Sequence, residues 1–403
     1  MNTCSNRVIL YYKNFITPGG AERLFIKEHD YFIKMGYDVH VITNTFSNIE
    51  MFGKPVKFIN HVNLNSNGLF SIINLAKEIK NLGNPVVLCS SGDINIYLAS
   101  LLTNFKYALH IHHPSFMSFN DFDKYSLFAK KHFKQYIKSN YGASRFKKIQ
   151  KQLTTLQLII INQKAIFSKL AKRKSCVNFV LSNYAKKEKK EIYGIDSEVL
   201  QGAIENINLK KKHRLKSKVF TILSVARLDK NKRIDVLIKS FKHIHDKYEN
   251  INLIIVGSGP EEKKLKKLTY ENKLNGKINF CGHISDDKIL EIYSRANLFV
   301  SIDWADFKIT LFESLNNFTP IIVSNETECD SEFIRMGIVK LITPSVKNLT
   351  AEIEAEITSP TIFKVSEVKK LLQKYTWNTY FYNVLSSLAA RRLIPSPRRL
   401  CSI

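Results

Sequence analysis

The chain has 403 residues, 44% of them hydrophobic and 11% aromatic, which suits two domains of about 150–200 residues and argues against disorder. It carries 61 Lys and Arg against 35 Asp and Glu, a formal charge of +26, and residues 121–220 alone hold 24 basic and 7 acidic side chains, a net +17. Such an excess points to an anionic partner, whether nucleic acid, acidic lipid headgroups or a phosphorylated acceptor, with a merely solvated basic face as the plainer alternative.

No run of 18 apolar residues is present, and the start lacks the length and cleavage pattern of a secretory signal, so a cytoplasmic location is expected. The six cysteines, at 4, 89, 176, 281, 329 and 401, form no Cys-x-x-Cys pair. Free thiols in a reducing compartment fit them better than a disulfide scaffold or a zinc site.

In chain order, strand and helix signals alternate, as an α/β fold with mainly parallel sheets requires. A strand over 7–13 leads through Pro18-Gly19-Gly20 into a helix from about Ala21, ended by Gly36, and a second strand follows over 39–43. Further strands are expected at 56–60, 85–90, 107–112, 157–161, 178–182 and 198–204. Helices are expected at 68–82, 93–103, 145–155, 163–173 and 184–193. The polar, Lys-rich stretch 206–218 reads as a linker. The alternation then restarts with strands at 219–225, 251–256, 277–281 and 297–301 and helices at 233–247, 260–270 and 286–295. A last helix of about 366–388 precedes a basic, Pro-broken tail.

The predicted division is therefore 1–205 as a first α/β domain, 206–218 as linker, 219–365 as a second α/β domain, 366–390 as a last helix and 391–403 as the tail. Ligands of such sheets sit outside the carboxyl ends of the strands, so the chemistry is expected in a cleft between the halves.

Four segments carry candidate chemistry. Gly19 and Gly20 stand at a strand-to-helix turn, where bare backbone approaches a ligand and free N–H groups meet an oxyanion; a tight turn is the bland reading. Arg227 and Lys232 follow the 219–225 strand in a basic loop. Fixed positive charge there suits a diphosphate leaving group, and a solvated loop is the alternative. Gly257 and Gly259 form a lone Gly-x-Gly turn, and Pro260 after them reads as the first residue of a helix. Glu313 falls among Leu311, Phe312 and Leu315, where a carboxylate is costly unless hydrogen-bonded; a ribose diol would satisfy it.

These segments, in this order, resemble glycosyltransferase family 4, of GT-B architecture, over roughly residues 7–388. The resemblance implies two Rossmann-like domains facing across a cleft, 1–205 on the acceptor side and 219–365 binding the nucleotide sugar, with the 366–390 helix crossing back onto the first domain. It also implies a retaining, metal-independent hexosyl- or N-acetylhexosaminyl-transferase. Its co-substrate would be a nucleotide diphosphate sugar and its acceptor lipid-linked or a polysaccharide. It assigns Arg227 and Lys232 to the diphosphate and Glu313 to the ribose. Gly19, Gly20 and Gly257 would line the donor site, and His283 and Ile284 the base. Asp306, Phe307, Lys308 and Ile309 form the segment leading to Glu313. Either His112 or His113 would face the transferred sugar.

The chain departs from the pattern at Ala305, where the family's first Glu stands, at Lys308, usually small or Pro, and at Phe318, usually Gly. These departures motivate an alternative, a catalytically silent GT-B subunit partnering an active transferase. A basic nucleic-acid-binding protein is a remote one, since no nucleic-acid motif appears. Asp121-Phe122-Asp123 looks like a metal-binding Asp-x-Asp without its fold context, and His110, His112 and His113 lack a fourth ligand, so no metal is expected. The amphipathic stretch Leu127 to Lys138 within the basic region suits peripheral association with an anionic inner membrane face.

Overall fold

The computed structural model describes residues 6–16, 20–51, 54–111, 154–204, 219–303 and 308–395. They fall into two compact units. The first comprises described residues up to Gly202 together with Trp377 onwards, and the second comprises described residues of Ala203–Thr376.

The first unit is built on a parallel sheet of seven strands in the order β5-β2-β1-β6-β7-β8-β9. These are β1 (Arg7–Phe15), β2 (Asp38–Phe46), β5 (His61–Asn63), β6 (Val86–Ser91), β7 (Tyr107–Ile111), β8 (Val177–Val180) and β9 (Glu198–Val199). A separate two-residue hairpin pairs β3 (Glu50–Met51) with β4 (Lys54–Pro55). Val8 through Tyr12 are all buried, the continuous apolar run of a strand covered on both faces. Helices Gly20–Lys34, Gly68–Asn81, Asp93–Thr103 and Thr155–Lys174 make the crossovers, and Gly36 ends the first turn at φ +81°.

The second unit is a six-stranded parallel sheet in the order β12-β11-β10-β13-β14-β15. Its strands are β10 (Phe220–Val225), β11 (Ile251–Val256), β12 (Ile278–Gly282), β13 (Leu298–Ser301), β14 (Ile321–Ser324) and β15 (Val339–Ile342). The Ile234–His245 helix buries Ile234, Leu237, Ile238, Phe241 and Ile244 against this sheet, the 3.6-residue stripe seen in the sequence. In both sheets the chain begins centrally, winds to one side, then returns to the other flank. Each therefore has a topological switch point, at β1/β6 and at β10/β13.

Several expectations are corrected. Residues 56–60 form no strand. Phe58 instead enters a ring cluster with Phe15, Phe25, Phe46 and His61, Asn60 turns left-handed, and sheet pairing begins only at His61. The 157–161 strand is part of the Thr155–Lys174 helix, nucleated by a reciprocal capping box between Thr154 and Gln157. That local cap overrides the strand preference of the Ile run. The 198–204 strand shrinks to Glu198–Val199. The single helix over 366–390 is two, Val365–Leu372 in the second unit and Trp377–Ala390 in the first, separated by a 3-10 turn. The linker 206–218, most of the 145–155 helix and the 127–138 stretch lie outside the described residues.

The Gly257 turn is set by packing. A Cβ there would sit 2.0 Å from the Ala226 carbonyl oxygen, and φ is +123°. Gly257→Ala is expected to destabilise the second unit by about 2–4 kcal/mol, whereas Gly36→Ala, with open space around its Cβ, should cost about 1 kcal/mol. Urea unfolding of the two variants checks the contrast.

Candidate functional site

At the switch point of the second unit, three loops converge on the carboxyl ends of β10, β13 and β14. The first descends from β10 and is held to the neighbouring loop by backbone: Leu228 N–H donates to the Ser258 carbonyl at 2.9 Å and Glu261 N–H to the Leu228 carbonyl at 3.0 Å. That close approach requires Gly257 and Gly259, so both glycines serve loop-on-loop packing. Gly257 N–H also donates to the Gly282 carbonyl at 2.8 Å, joining the β12 end to the same assembly.

Lys232 Nζ lies 2.6 Å from Asp303 Oδ2. The other carboxylate oxygen of Asp303 accepts from Ser301 Oγ at 2.9 Å and from the Lys308 ammonium. Lys308 also donates to Ser301 Oγ at 3.0 Å and to the carbonyls of Ser301 and Asp303 at 3.1 and 3.2 Å. Thr327 Oγ1 donates to the Asp303 carbonyl at 3.0 Å. Next to Lys232, Arg233 takes a left-handed backbone (φ 54°), which turns its guanidinium inward to the Ile302 carbonyl at 2.8 Å and to Glu326 at 2.7 Å. Asp303 and Lys308 are buried, while the Lys232 side chain keeps 27% exposure.

Burial by itself would raise the Asp303 carboxyl, but the Lys308 and Lys232 ammonium groups outweigh it and hold the carboxyl well below the ordinary carboxylate range. Arg227 differs: its side chain is 74% exposed, with Nε 3.4 Å from Asp229. The two cations expected to act together are thus held differently, Lys232 by a buried carboxylate and Arg227 by a surface contact. Glu313, on the Ile309–Asn316 helix, is half-buried and accepts a hydrogen bond from the Tyr293 hydroxyl at 2.9 Å. Tyr293 is fully buried, so it fixes that carboxylate from the core side.

Of the remaining sequence candidates, Gly20 opens its helix exposed, His283 is exposed, and Ile284 packs on the core. Ile309 begins the Glu313 helix. Lys308, expected beside the donor, spends its ammonium on Asp303 and Ser301. Gly19, His112, His113, Asp306 and Phe307 lie outside the described residues, as do Ala305 and Asp121 to Asp123. No cluster of three or more His, Cys, Asp or Glu suited to a metal occurs among the described residues.

The first unit holds a cavity of about 350 Å3 at its own switch point, lined by Tyr12, Ser90, Ser91, Asp93, His110 and Lys172 among others. Asp93 pairs with Lys172 at 2.7 Å and accepts from Ser168 at 2.5 Å. His110 is buried between Glu28, 2.7 Å from Nδ1, and the Tyr380 hydroxyl, 3.0 Å from Nε2. Burial and the Glu28 carboxylate raise the Tyr380 hydroxyl far above its ordinary value, so it stays protonated. Sequence reasoning missed this group. Its signal was Glu28, a carboxylate set within the stripe Leu24, Phe25, Tyr31 and Phe32 of the buried helix face.

Residues 205–367 match the family model described as glycosyl transferases group 1. Among curated relatives, the alpha-monoglucosyldiacylglycerol synthase of Acholeplasma laidlawii is 30% identical over 130 residues, 32% of each chain. The UDP-N-acetylglucosamine–peptide N-acetylglucosaminyltransferase GtfA subunit of Streptococcus pneumoniae serotype 4 is 22% identical over 178 residues, 44% of this chain and 34% of that protein. These matches span about a third of the relatives' own lengths. Over nearly the full chain the fold is that of the lipopolysaccharide outer core galactosyltransferase WaaB (TM-score 0.68, 13% identity, 96% and 99% coverage). Anabaena HepE, solved in complex with UDP, superposes equally well (0.69, 16%, 95% and 99%).

The folded-state pKa of Asp303 lies below the roughly 3.9 of an unfolded aspartate, so its ion pairs stabilise the protein above that pH and are lost as the pH falls through and below it. Asp303→Asn is expected to reduce stability at pH 7 and to flatten the acid limb below about pH 4 in unfolding followed by circular dichroism. An undiminished acid limb would show that Asp303 is not the ionised group.

Proposed function

We propose that the chain, whose residues 205–367 match the glycosyl transferases group 1 model and whose fold is GT-B, moves a sugar from a nucleoside diphosphate sugar onto a lipid-linked or saccharide acceptor. The observation that carries this reading is the partly exposed Lys232 ammonium, aimed by Asp303 at the carboxyl ends of the strands, where an open α/β sheet takes its ligands. A cation fixed there stabilises the charge that grows on the diphosphate as the glycosidic bond breaks. Arg227, on the same loop, supplies a second, more exposed donor. Glu313, oriented by Tyr293, is the acceptor for the ribose hydroxyls. The HepE complex with UDP makes a uridine nucleotide the first donor to try.

The transfer proceeds with retention and without a metal cofactor, the leaving phosphate assisting deprotonation of the acceptor. The acceptor side is the first unit, whose cavity His110 lines, and either His112 or His113 faces the transferred sugar. The named activity of the diacylglycerol relative favours a lipid acceptor. So does the surface of the Thr155–Lys174 helix: Leu156, Ile159, Ile160, Ile166, Phe167 and Leu170 are exposed. The same helix carries five basic and no acidic residues, Lys172 turned inward to Asp93 and Lys164, Lys169, Arg173 and Lys174 the others. Apolar side chains edged by Lys and Arg suit the headgroup layer of an anionic bilayer, and no described helix is long and apolar enough to span one.

Lys232→Ala is expected to lower kcat by roughly two to three powers of ten, and Arg227→Ala to act in the same direction. Glu313→Ala should mainly weaken nucleotide binding with the fold intact. A thermal-shift screen over UDP, GDP, ADP and their sugars, followed by turnover with the stabilising donor, checks all three. Binding without transfer or donor hydrolysis would favour the silent-subunit reading that Ala305 raises. On the membrane side, the protein should sediment with phosphatidylglycerol vesicles at low salt and not with phosphatidylcholine, and Ile159→Ser with Ile166→Ser should weaken it. Failure to sediment would remove the membrane from the proposal.

A further inference from the structure

The charges at the β10/β13 switch point divide unevenly. Arg233 is matched by Glu326 at 2.7 Å, but Lys232 and Lys308 share one carboxylate, Asp303. The two lysines use it differently. Lys308 is buried, and its ammonium reaches four acceptor atoms of Ser301 and Asp303, so none of its three protons needs a ligand. Lys232 meets Asp303 through one oxygen and is partly open to solvent, which leaves donor capacity unused within the protein.

We infer that Lys308 is a charge-compensating positioning residue: it neutralises Asp303 from the buried side, so that Asp303 can aim Lys232 without cancelling its charge toward a diphosphate. Without Lys308, Asp303 and Lys232 would form a one-to-one pair of zero net charge, and the freed carboxylate oxygen would draw the Lys232 ammonium inward. With it, the Lys–Asp–Lys group carries a net +1, expressed at its solvent end. Burial presses Lys308 toward its neutral form, and the Asp303 carboxylate opposes that, so each buried charge depends on the other.

The inference rests on the proposed diphosphate site, and a charge-swap cycle separates the two. The probes are the nucleoside diphosphate that stabilises the unaltered protein and the corresponding uncharged nucleoside, titrated calorimetrically at several salt concentrations. Lys308→Met should weaken the diphosphate at least tenfold, leave the nucleoside within about twofold and reduce the salt dependence of diphosphate binding. Asp303→Asn combined with Lys308→Met removes both buried charges while keeping an oxygen to orient Lys232; it should restore diphosphate affinity to within about threefold and restore the salt dependence. Asp303→Asn alone leaves at least the charge of the double variant, so it should bind the diphosphate no more weakly than that variant, and more tightly as falling pH charges Lys308.

Unchanged diphosphate binding in Lys308→Met would overturn the inference and leave the functional proposal standing. Equal losses for nucleoside and diphosphate would also overturn it, since they would make Lys308 a structural support only. No binding of any nucleoside diphosphate by the unaltered protein would overturn the functional proposal and this inference with it.

Discussion

The second unit is organised around one buried carboxylate. Asp303 follows β13 at the point where the sheet reverses its winding, so loops from opposite directions of the fold reach it. A carboxylate with 2% side-chain exposure is tolerable only if fully compensated, and Lys232, Lys308 and Ser301 provide that compensation. Those contacts bind the loop after β10 to the loop after β13, and Thr327 adds the loop after β14. Loop positions that would otherwise be independent are thereby locked together, which is what preorganised electrostatics demands.

The first unit solves a similar problem by different means. Its switch point is lined by hydroxyls and by the Asp93–Lys172 pair, and its buried polar group is Glu28–His110–Tyr380. The Tyr comes from the Trp377–Ala390 helix, which also stacks Phe381 on Tyr31 at 4.4 Å and seals the unit with Val384, Leu385 and Leu388. The two halves thus share a topology but not a chemistry. One presents fixed positive charge, and the other a polar cavity of mixed donors and acceptors.

Much of this was legible in the sequence because parallel strands and amphipathic helices leave periodic signatures. The strands at 220–225 and 251–256 and the helix at 234–245 fall where the apolar pattern puts them. Failures cluster where a local device outweighs periodicity. The Thr154–Gln157 cap turns a β-branched run into helix, and the aromatic cluster around Phe58 absorbs an alternating segment without pairing it. At the site, sequence reasoning reached Lys232, Lys308 and Glu313 but not their relations. Nothing in linear spacing shows that Asp303 and Lys232, 71 positions apart, share a hydrogen bond. Tyr380, 270 residues from its His110 partner, was out of reach for the same reason.

The return of the Trp377–Ala390 helix to the first unit has a consequence for biosynthesis. Among the described residues the second unit is a single continuous stretch, whereas the first needs both ends of the chain. A ribosome delivering this protein therefore completes the later unit before the earlier one. Until the last segment emerges, Tyr31 and His110 lack the rings and hydroxyl that cover them, and a nascent first unit is left with an open apolar seam. Ending the chain at Gly202 to express an N-terminal half would reproduce that unfinished state permanently.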